Sequence, residues 1–341
     1  MSNIFSPIQL GDYPLKNRIF MAPLTRGRAI ENNTPNALMV EYYSQRATAG
    51  LIIAEATAID KTGLGWMNAP GIYTDAQQAG WKNIAEAVHN KGGRIFIQLW
   101  HMGSIVHPDF LNGALPVSSS AVQQQGSLTT PKGRDRGFAT PKALTKTEIT
   151  AIVQQFVNAA KRAIDAGIDG VELHGANGFL IDQFTRDGIN QRQDEYGGSI
   201  DNRLRFMLEI VDAVCKAIGP GKVGIRLSPS NNVWGIKDSN PKATFSQAVT
   251  HLNKFNLAYV HVLEPKPDAD SAIDYLTPIL RQHYQGNLII NGGYTKDSAN
   301  KALKNKEGDA IVFGTPFIAN PDLVERFNHN ADLAQADPTT F

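Results

Sequence analysis

The sequence predicts an α/β protein built as one (β/α)8 (TIM) barrel with long loops after its strands. Three observations carry that reading. Eight short apolar runs alternate with amphipathic helical stretches along the 341 residues. The runs are near-continuous in apolar residues, as in parallel strands covered on both faces. No linker-like Ser/Gly/Pro tract divides the units, so residues 1–341 read as a single domain. A doubly wound open sheet is the competing architecture, but no G-x-G-x-x-G motif follows an early strand and opens a helix.

The expected strands are Asn17–Leu24, Gly50–Ala56, Arg94–Trp100, Gly170–Ala176, Lys222–Ser228, Ala258–Pro265, Asn287–Gly293 and Asp309–Thr315. Thr34 and Pro35 read as an N-cap and first-turn proline opening a helix through Tyr43. Thr145 and Glu148 form a capping box, followed by Ile149, Ile152, Phe156, Ala160 and Ala163 on one face. Leu204, Met207, Val211, Val214 and Ile218 make a second stripe, ended by Gly219 and Pro220. Asn320, Pro321 and Asp322 open the last helix. Further helices are expected at about Asp75–Lys91, Thr244–Phe255, Ala272–Tyr284 and Thr295–Lys304. Two connections are long: 101–144, read as a rim or lid after the third strand, and 177–202. In a barrel such loops sit at the C-terminal mouth, where function lies.

Composition narrows the function. Hydrophobic residues make up 42% and charged residues 19%, enough for a full core. Lys plus Arg (33) nearly cancel Asp plus Glu (32), so the net +1 offers no footprint for nucleic acid or an anionic membrane. No run approaches the ~18 apolar residues of a membrane span, and the N-terminus lacks a secretory pattern. The single cysteine, Cys215, cannot form an intrachain disulfide or a thiolate metal cluster and reads as helix packing. These features lead us to expect a cytoplasmic protein acting on a small molecule.

In a barrel the chemistry lies where strands end. Those positions are Thr25, Ala56, Gln98, His174 with Asn177, Arg226, Glu264, Asn291-Gly292-Gly293 and Gly314-Thr315. No lysine ends a strand, which argues against a Schiff-base aldolase. No G-x-S-x-G elbow is present, and no metal site is expected because no His/Asp/Glu set has ligand spacing. Neutral hydrogen-bonding groups, one arginine and late glycines instead suit a planar polar heterocycle carrying a phosphate.

Several blocks then stand out. They are Ala22-Pro-Leu-Thr-Arg26, Gln98-Leu-Trp-His101, His174-Gly-Ala-Asn-Gly-Phe-Leu-Ile-Asp-Gln-Phe184, Glu195-Tyr-Gly-Gly-Ser-Ile-Asp-Asn-Arg203, Arg226-Leu-Ser-Pro229 and the run from Phe313 to Leu323. Together they resemble the old yellow enzyme family over essentially the whole chain. That resemblance implies a flavin mononucleotide (FMN) cofactor and NAD(P)H as hydride donor. It implies that Thr25, with Pro23, Leu24 and Ala56 alongside, meets the flavin, and that Gln98 holds the pyrimidine edge. Arg226 faces the opposite edge; Asn291, Gly292, Gly293 and Gly314 serve the phosphate end. His174 and Asn177 donate to the substrate's carbonyl or nitro oxygen, in the manner of an oxyanion hole. Trp66, Trp100 and Ile105 are expected pocket walls. Glu195–Arg203 reads as loop architecture.

Three departures matter. Phe179 stands where the family usually has the tyrosine that protonates the α-carbon after hydride transfer. Thr315 stands where Phe-Gly-Arg places a phosphate-binding arginine, and Lys296 is the candidate to compensate. Family members usually continue past Phe341 with a glycine-rich segment ending in a tyrosine near the pocket, and a more open cavity is the expectation here. The expected activity is reduction of electron-poor alkenes, nitro compounds or quinones. An enal isomerase and a weakly catalytic flavin-binding protein are the alternatives.

Overall fold

The computed structural model describes residues 2–265 and 274–340. Eight parallel strands close into a barrel in sequential order: β1 (Ile19–Met21), β2 (Leu51–Ala58), β3 (Ile95–Trp100), β4 (Gly170–Gly175), β5 (Val223–Leu227), β6 (Tyr259–Leu263), β7 (Leu288–Asn291) and β8 (Ala310–Phe313). Closure is made where Ile311, Val312 and Phe313 of β8 pair with Ile19, Phe20 and Met21 of β1. Each strand falls within or against a predicted apolar run. The helices that cover the barrel are α1 (Ala37–Ser44), α2 (Asp75–His89), α3 (Lys146–Asp165), α4 (Ile200–Ile218), α5 (Pro241–Leu252), α6 (Thr277–His283), α7 (Lys296–Lys304) and α8 (Leu323–His329). Among the described residues no helix is long and apolar enough to cross a membrane.

The helix grammar holds at most ends and shifts at two. The Thr145 hydroxyl accepts from the Glu148 N–H while the Glu148 carboxylate accepts from the Thr145 N–H, as expected for a capping box. The first helix, however, is capped by Asn36 rather than Thr34: Asn36 Oδ1 accepts from the Met39 N–H at 3.1 Å. Thr34 is extended and lies before the helix, which starts two residues later than expected. The last helix starts after Asp322 with no side-chain cap. Asn320 instead ties the Pro316 and Ala334 carbonyls and the Ala334 N–H. The helix expected from Ala272 is seen from Thr277; residues 266–273 lie outside the described residues.

The barrel interior has two levels. The N-terminal level is apolar: Phe20, Ile53, Phe96, Tyr259, Ile289 and Val312 pack with Ile8, Leu10 and Leu15 of an N-terminal hairpin that plugs the bottom. Two glycines make room for the large rings. A Cβ on Gly170 would lie 2.4 Å from the Phe96 ring, and one on Gly224 would lie 2.3 Å from the Tyr259 ring. Above this level the inward side chains turn polar. The outer core, between strands and helices, is aliphatic and aromatic throughout and includes Trp81, Phe156, Phe206 and Phe245.

Loop 101–144 carries structure of its own, including the hairpin Ser127–Thr130/Gly133–Gly137. The segment 195–203 is architectural: Ser199 caps α4, and Arg203 binds the Thr185 carbonyl and the Asp238 carboxylate. Cys215 is buried on α4, and burial pushes its thiol up to about 12, as expected for inert packing.

Removing the α3 cap leaves the N-terminal amides of a 20-residue helix without their side-chain partner. Thr145→Ala is expected to destabilise the fold by about 1 kcal/mol. A lowered thermal midpoint would show it; an unchanged midpoint would contradict it.

Candidate active site

Three strands bring Gln98, His174 and Arg226 together at the C-terminal end of the barrel. In the ladder Gln98 is opposite Glu172, and His174 is opposite Arg226. Gln98 donates from Nε2 to Glu172 Oε1 at 2.7 Å. Arg226 donates from Nη2 to Asn291 Oδ1 at 3.1 Å, and Asn291 donates in turn to the Val312 carbonyl at 2.8 Å. All three side chains are buried, and each keeps one buried atom without a partner among the described residues: Gln98 Oε1, His174 Nδ1 and Arg226 Nε. Burial, with the positive Arg226 next in weight, holds the His174 pKa well below the usual imidazole value. His174 is therefore a neutral donor near pH 7. Ala56 sits directly opposite Gln98, after a bulge at Glu55.

That bulge serves the end of β1. The buried Glu55 carboxylate accepts from the backbone N–H groups of Arg26 and Gly27, at 3.0 and 3.1 Å, and from the Tyr43 hydroxyl. It thereby fixes the turn that follows Pro23, Leu24 and Thr25. Leu24 reaches the far end of the barrel seam: a Cβ on Gly314 would lie 3.6 Å from its Cδ1.

Asn177 adopts a left-handed conformation (φ 57), which asparagine tolerates, followed by Gly178 at φ 77. Its N–H donates to Ser228 Oγ, and its Oδ1 accepts from Asn231 Nδ2, both at 2.8 Å. With the carbonyl held, the amide NH2 is the group left to donate. Phe179 packs edge-on against both His174 (4.8 Å between ring centroids) and Trp100 (4.9 Å), while Trp100 lies nearly parallel to the His174 ring.

The 101–144 loop is anchored to the same place. Gln183 accepts from the Ser104 N–H and the Ser118 hydroxyl and donates to the Met102 and Gly178 carbonyls. Ile105, Leu128 and Phe138 of that loop cluster with Ala56, Trp100 and Phe179. Trp100 and Ile105 thus belong to one apolar cluster with Phe179. Trp66 is more than a third exposed and lines a separate cavity of about 430 Å³ with Ile30, Leu64, Tyr73 and Phe110.

At the end of β7, Gly292 packs against Glu264 and Gly293 takes φ 83, a conformation that suits glycine. Glu264 accepts from the Tyr294 hydroxyl at 2.6 Å, and burial raises its pKa. Thr315 is exposed at the start of the short helix Thr315–Ala319. The compensating role expected of Lys296 is not supported: its Nζ is bound to the Phe327 carbonyl and Asn330 Oδ1 at the C-terminal end of α8, where the helix-end carbonyls attract a cation.

A family model described as NADH:flavin oxidoreductase / NADH oxidase matches residues 3–334. The chain belongs to that family. It is an FMN-dependent oxidoreductase of the old yellow enzyme type. It is 41% identical to 12-oxophytodienoate reductase 7 of Oryza sativa subsp. japonica, over 99% of this chain and 91% of the relative. The old yellow enzyme homologue from Zymomonas mobilis superposes with a TM-score of 0.96 at 42% identity, covering 99% of this chain and 96% of the other. Morphinone reductase, solved in complex with tetrahydroNAD, superposes with a TM-score of 0.94 at 45% identity, covering 100% and 94%.

The residues present fit FMN at the ring end. A buried acceptor (Gln98 Oε1) and a buried donor (Arg226 Nε), each without a protein partner, suit a heterocycle edged with N–H and acceptor atoms. Sequence reasoning missed Glu55, Glu172, Asn231 and His261, which hold the named residues rather than end a strand. The alternation of β4 was the available signal, since Glu172 shares the inward face of His174.

His101, at the start of the 101–144 loop, gives a pH test. It is buried, its Nδ1 accepts from the Gly103 N–H, and burial lowers its pKa from 6.5 to about 4. The unfolded chain binds the extra proton first, so stability is full above pH 6.5 and is lost as pH falls through 4. At 1.36 kcal/mol per unit, the loss between pH 6.5 and 5 is about 2 kcal/mol. Denaturation of the wild type is expected to steepen with acid more than that of His101→Asn; parallel pH profiles would refute the assignment.

Proposed function

We propose that this chain reduces electron-poor alkenes, nitro compounds or quinones with NAD(P)H, as one barrel domain whose 101–144 loop serves as a lid over the pocket. The observation that carries the reading is the convergence of Gln98, His174 and Arg226 on one barrel end, each with an unpartnered buried polar atom. The tetrahydroNAD complex of morphinone reductase supports a nicotinamide as donor. Relatives named as 12-oxophytodienoate reductases support an oxo-bearing acceptor.

When bound, FMN supplies a two-electron carrier that accepts hydride from a nicotinamide and passes it to an acceptor. Thr25 with Pro23 and Leu24, Ala56 and Gln98 would hold one side of the ring. Arg226 would stand at the edge where charge gathers on reduction. Asn291, Gly292, Gly293, Gly314 and Thr315 would serve the phosphate end. Neutral His174 and the NH2 of Asn177 would donate to the acceptor's oxygen and support the charge that develops there. Trp100, Ile105 and Phe179 would wall the pocket.

Phe179 keeps the ring of the usual tyrosine and lacks its proton. General-acid catalysis contributes roughly 10²–10⁴-fold, so enone reduction should lag behind nitro or quinone reduction, whose protons arrive on heteroatoms from solvent. A second reading follows from the same residue. With no acid above the α-carbon, hydride can return from the substrate, isomerising an enal without net NAD(P)H consumption; reduced protein would then convert more enal than it holds flavin.

Anaerobic mixing of the FMN-saturated protein with NADH or NADPH is expected to bleach the flavin, and brisk reoxidation by an enone or a quinone would exclude a mere flavin binder. Absence of bleaching would sink the reading. Phe179→Tyr is expected to raise enone turnover about 10²-fold relative to quinone turnover; an unchanged ratio would mean another proton source serves. Thr315→Arg restores a charge-assisted bond of about 1.5–3 kcal/mol and is expected to tighten FMN binding roughly tenfold to a hundredfold. Titration of apoprotein checks it, and equal affinity would show that the backbone alone holds the phosphate.

A further inference from the structure

Glu172 lies two residues before His174 on β4, on the same inward face and one level deeper. It is fully buried. One oxygen accepts from Gln98 Nε2 at 2.7 Å, and the other is 2.8 Å from His261 Nδ1 on β6. A carboxylate only accepts, so His261 donates through Nδ1. Gln98 gives its NH2 to Glu172 and is left to present Oε1, which has no protein partner. A primary amide has two nearly isosteric ends, one donor and one acceptor. Without a fixed neighbour, nothing in its shape decides which end faces the mouth. Glu172 is also the carboxylate whose charge opposes the effect of burial on Arg226.

We propose that Glu172 is a positioning residue of the flavin site. It turns Gln98 so that an acceptor meets the N–H edge of the ring, and its charge tempers the preference of Arg226 for the reduced ring. This inference rests on the flavin reading above and adds a residue that touches neither flavin nor substrate.

Two variants separate orientation from charge. Glu172→Gln retains an acceptor for Gln98 and removes the charge; Glu172→Leu removes both. Each is prepared as apoprotein, titrated with FMN by fluorescence quenching, and its bound flavin midpoint potential is measured against a dye. Glu172→Gln is expected to bind oxidised FMN within about threefold of wild type and to favour the reduced form about tenfold, a shift of ~30 mV to more positive potential for a two-electron couple. Glu172→Leu is expected to weaken binding of oxidised FMN at least tenfold. Wild-type potential in Glu172→Gln, or wild-type affinity in Glu172→Leu, overturns the corresponding half of the proposal. If Glu172→Leu does not fold, the potential of Glu172→Gln decides. Wild-type apoprotein that takes up no FMN refutes the flavin reading itself, and this inference with it.

Discussion

A closed eight-stranded barrel must fill its own interior, and here the filling changes from apolar to polar along the axis. Phe20, Phe96 and Tyr259 close the lower level. Gln98, Glu172, Arg226 and His261 occupy the upper one, almost without access to water. A buried polar atom left unpaired costs roughly 1–3 kcal/mol. The upper level satisfies part of that demand internally, through the Gln98–Glu172–His261 chain and the Arg226–Asn291 pair. The remainder points to a polar ligand at the mouth.

The loops around that mouth are held before any ligand arrives. Asp182 accepts from the Gly178 N–H and from Arg186, whose guanidinium also reaches the Ser228 carbonyl. Ser228 and Asn231 in turn hold Asn177. Gln183 ties the same turn to the first residues of the 101–144 loop. Side chains from the segments after β4 and β5 and backbone of that loop therefore form one bonded unit, so donor geometry there is set by folding. Glu55 does the same for the end of β1.

Within this frame Phe179 packs edge-on against His174 and Trp100. Thr315 lies exposed at the start of the short helix Thr315–Ala319, and Lys296 is engaged at the end of α8. Under the proposed function the first position would bear on proton delivery and the second on cofactor retention.

The apolar runs, the Thr145 capping box and the stripe from Leu204 to Ile218 determined the eight strands and the main helices, because local burial and local hydrogen bonding dominate there. Strand-end position alone singled out Gln98, His174 and Arg226. Cap positions were less legible: Thr34 and Asn36 both carry side chains that can cap, and the helix uses Asn36. Long-range pairing was not legible at all. Glu172 meets Gln98 and His261 across 74 and 89 residues, Glu55 meets the turn after Thr25 across a bulge, and Lys296 turns to α8. Sequence pattern reports which face a side chain takes; only closure of the barrel decides which distant polar group completes its hydrogen bonds.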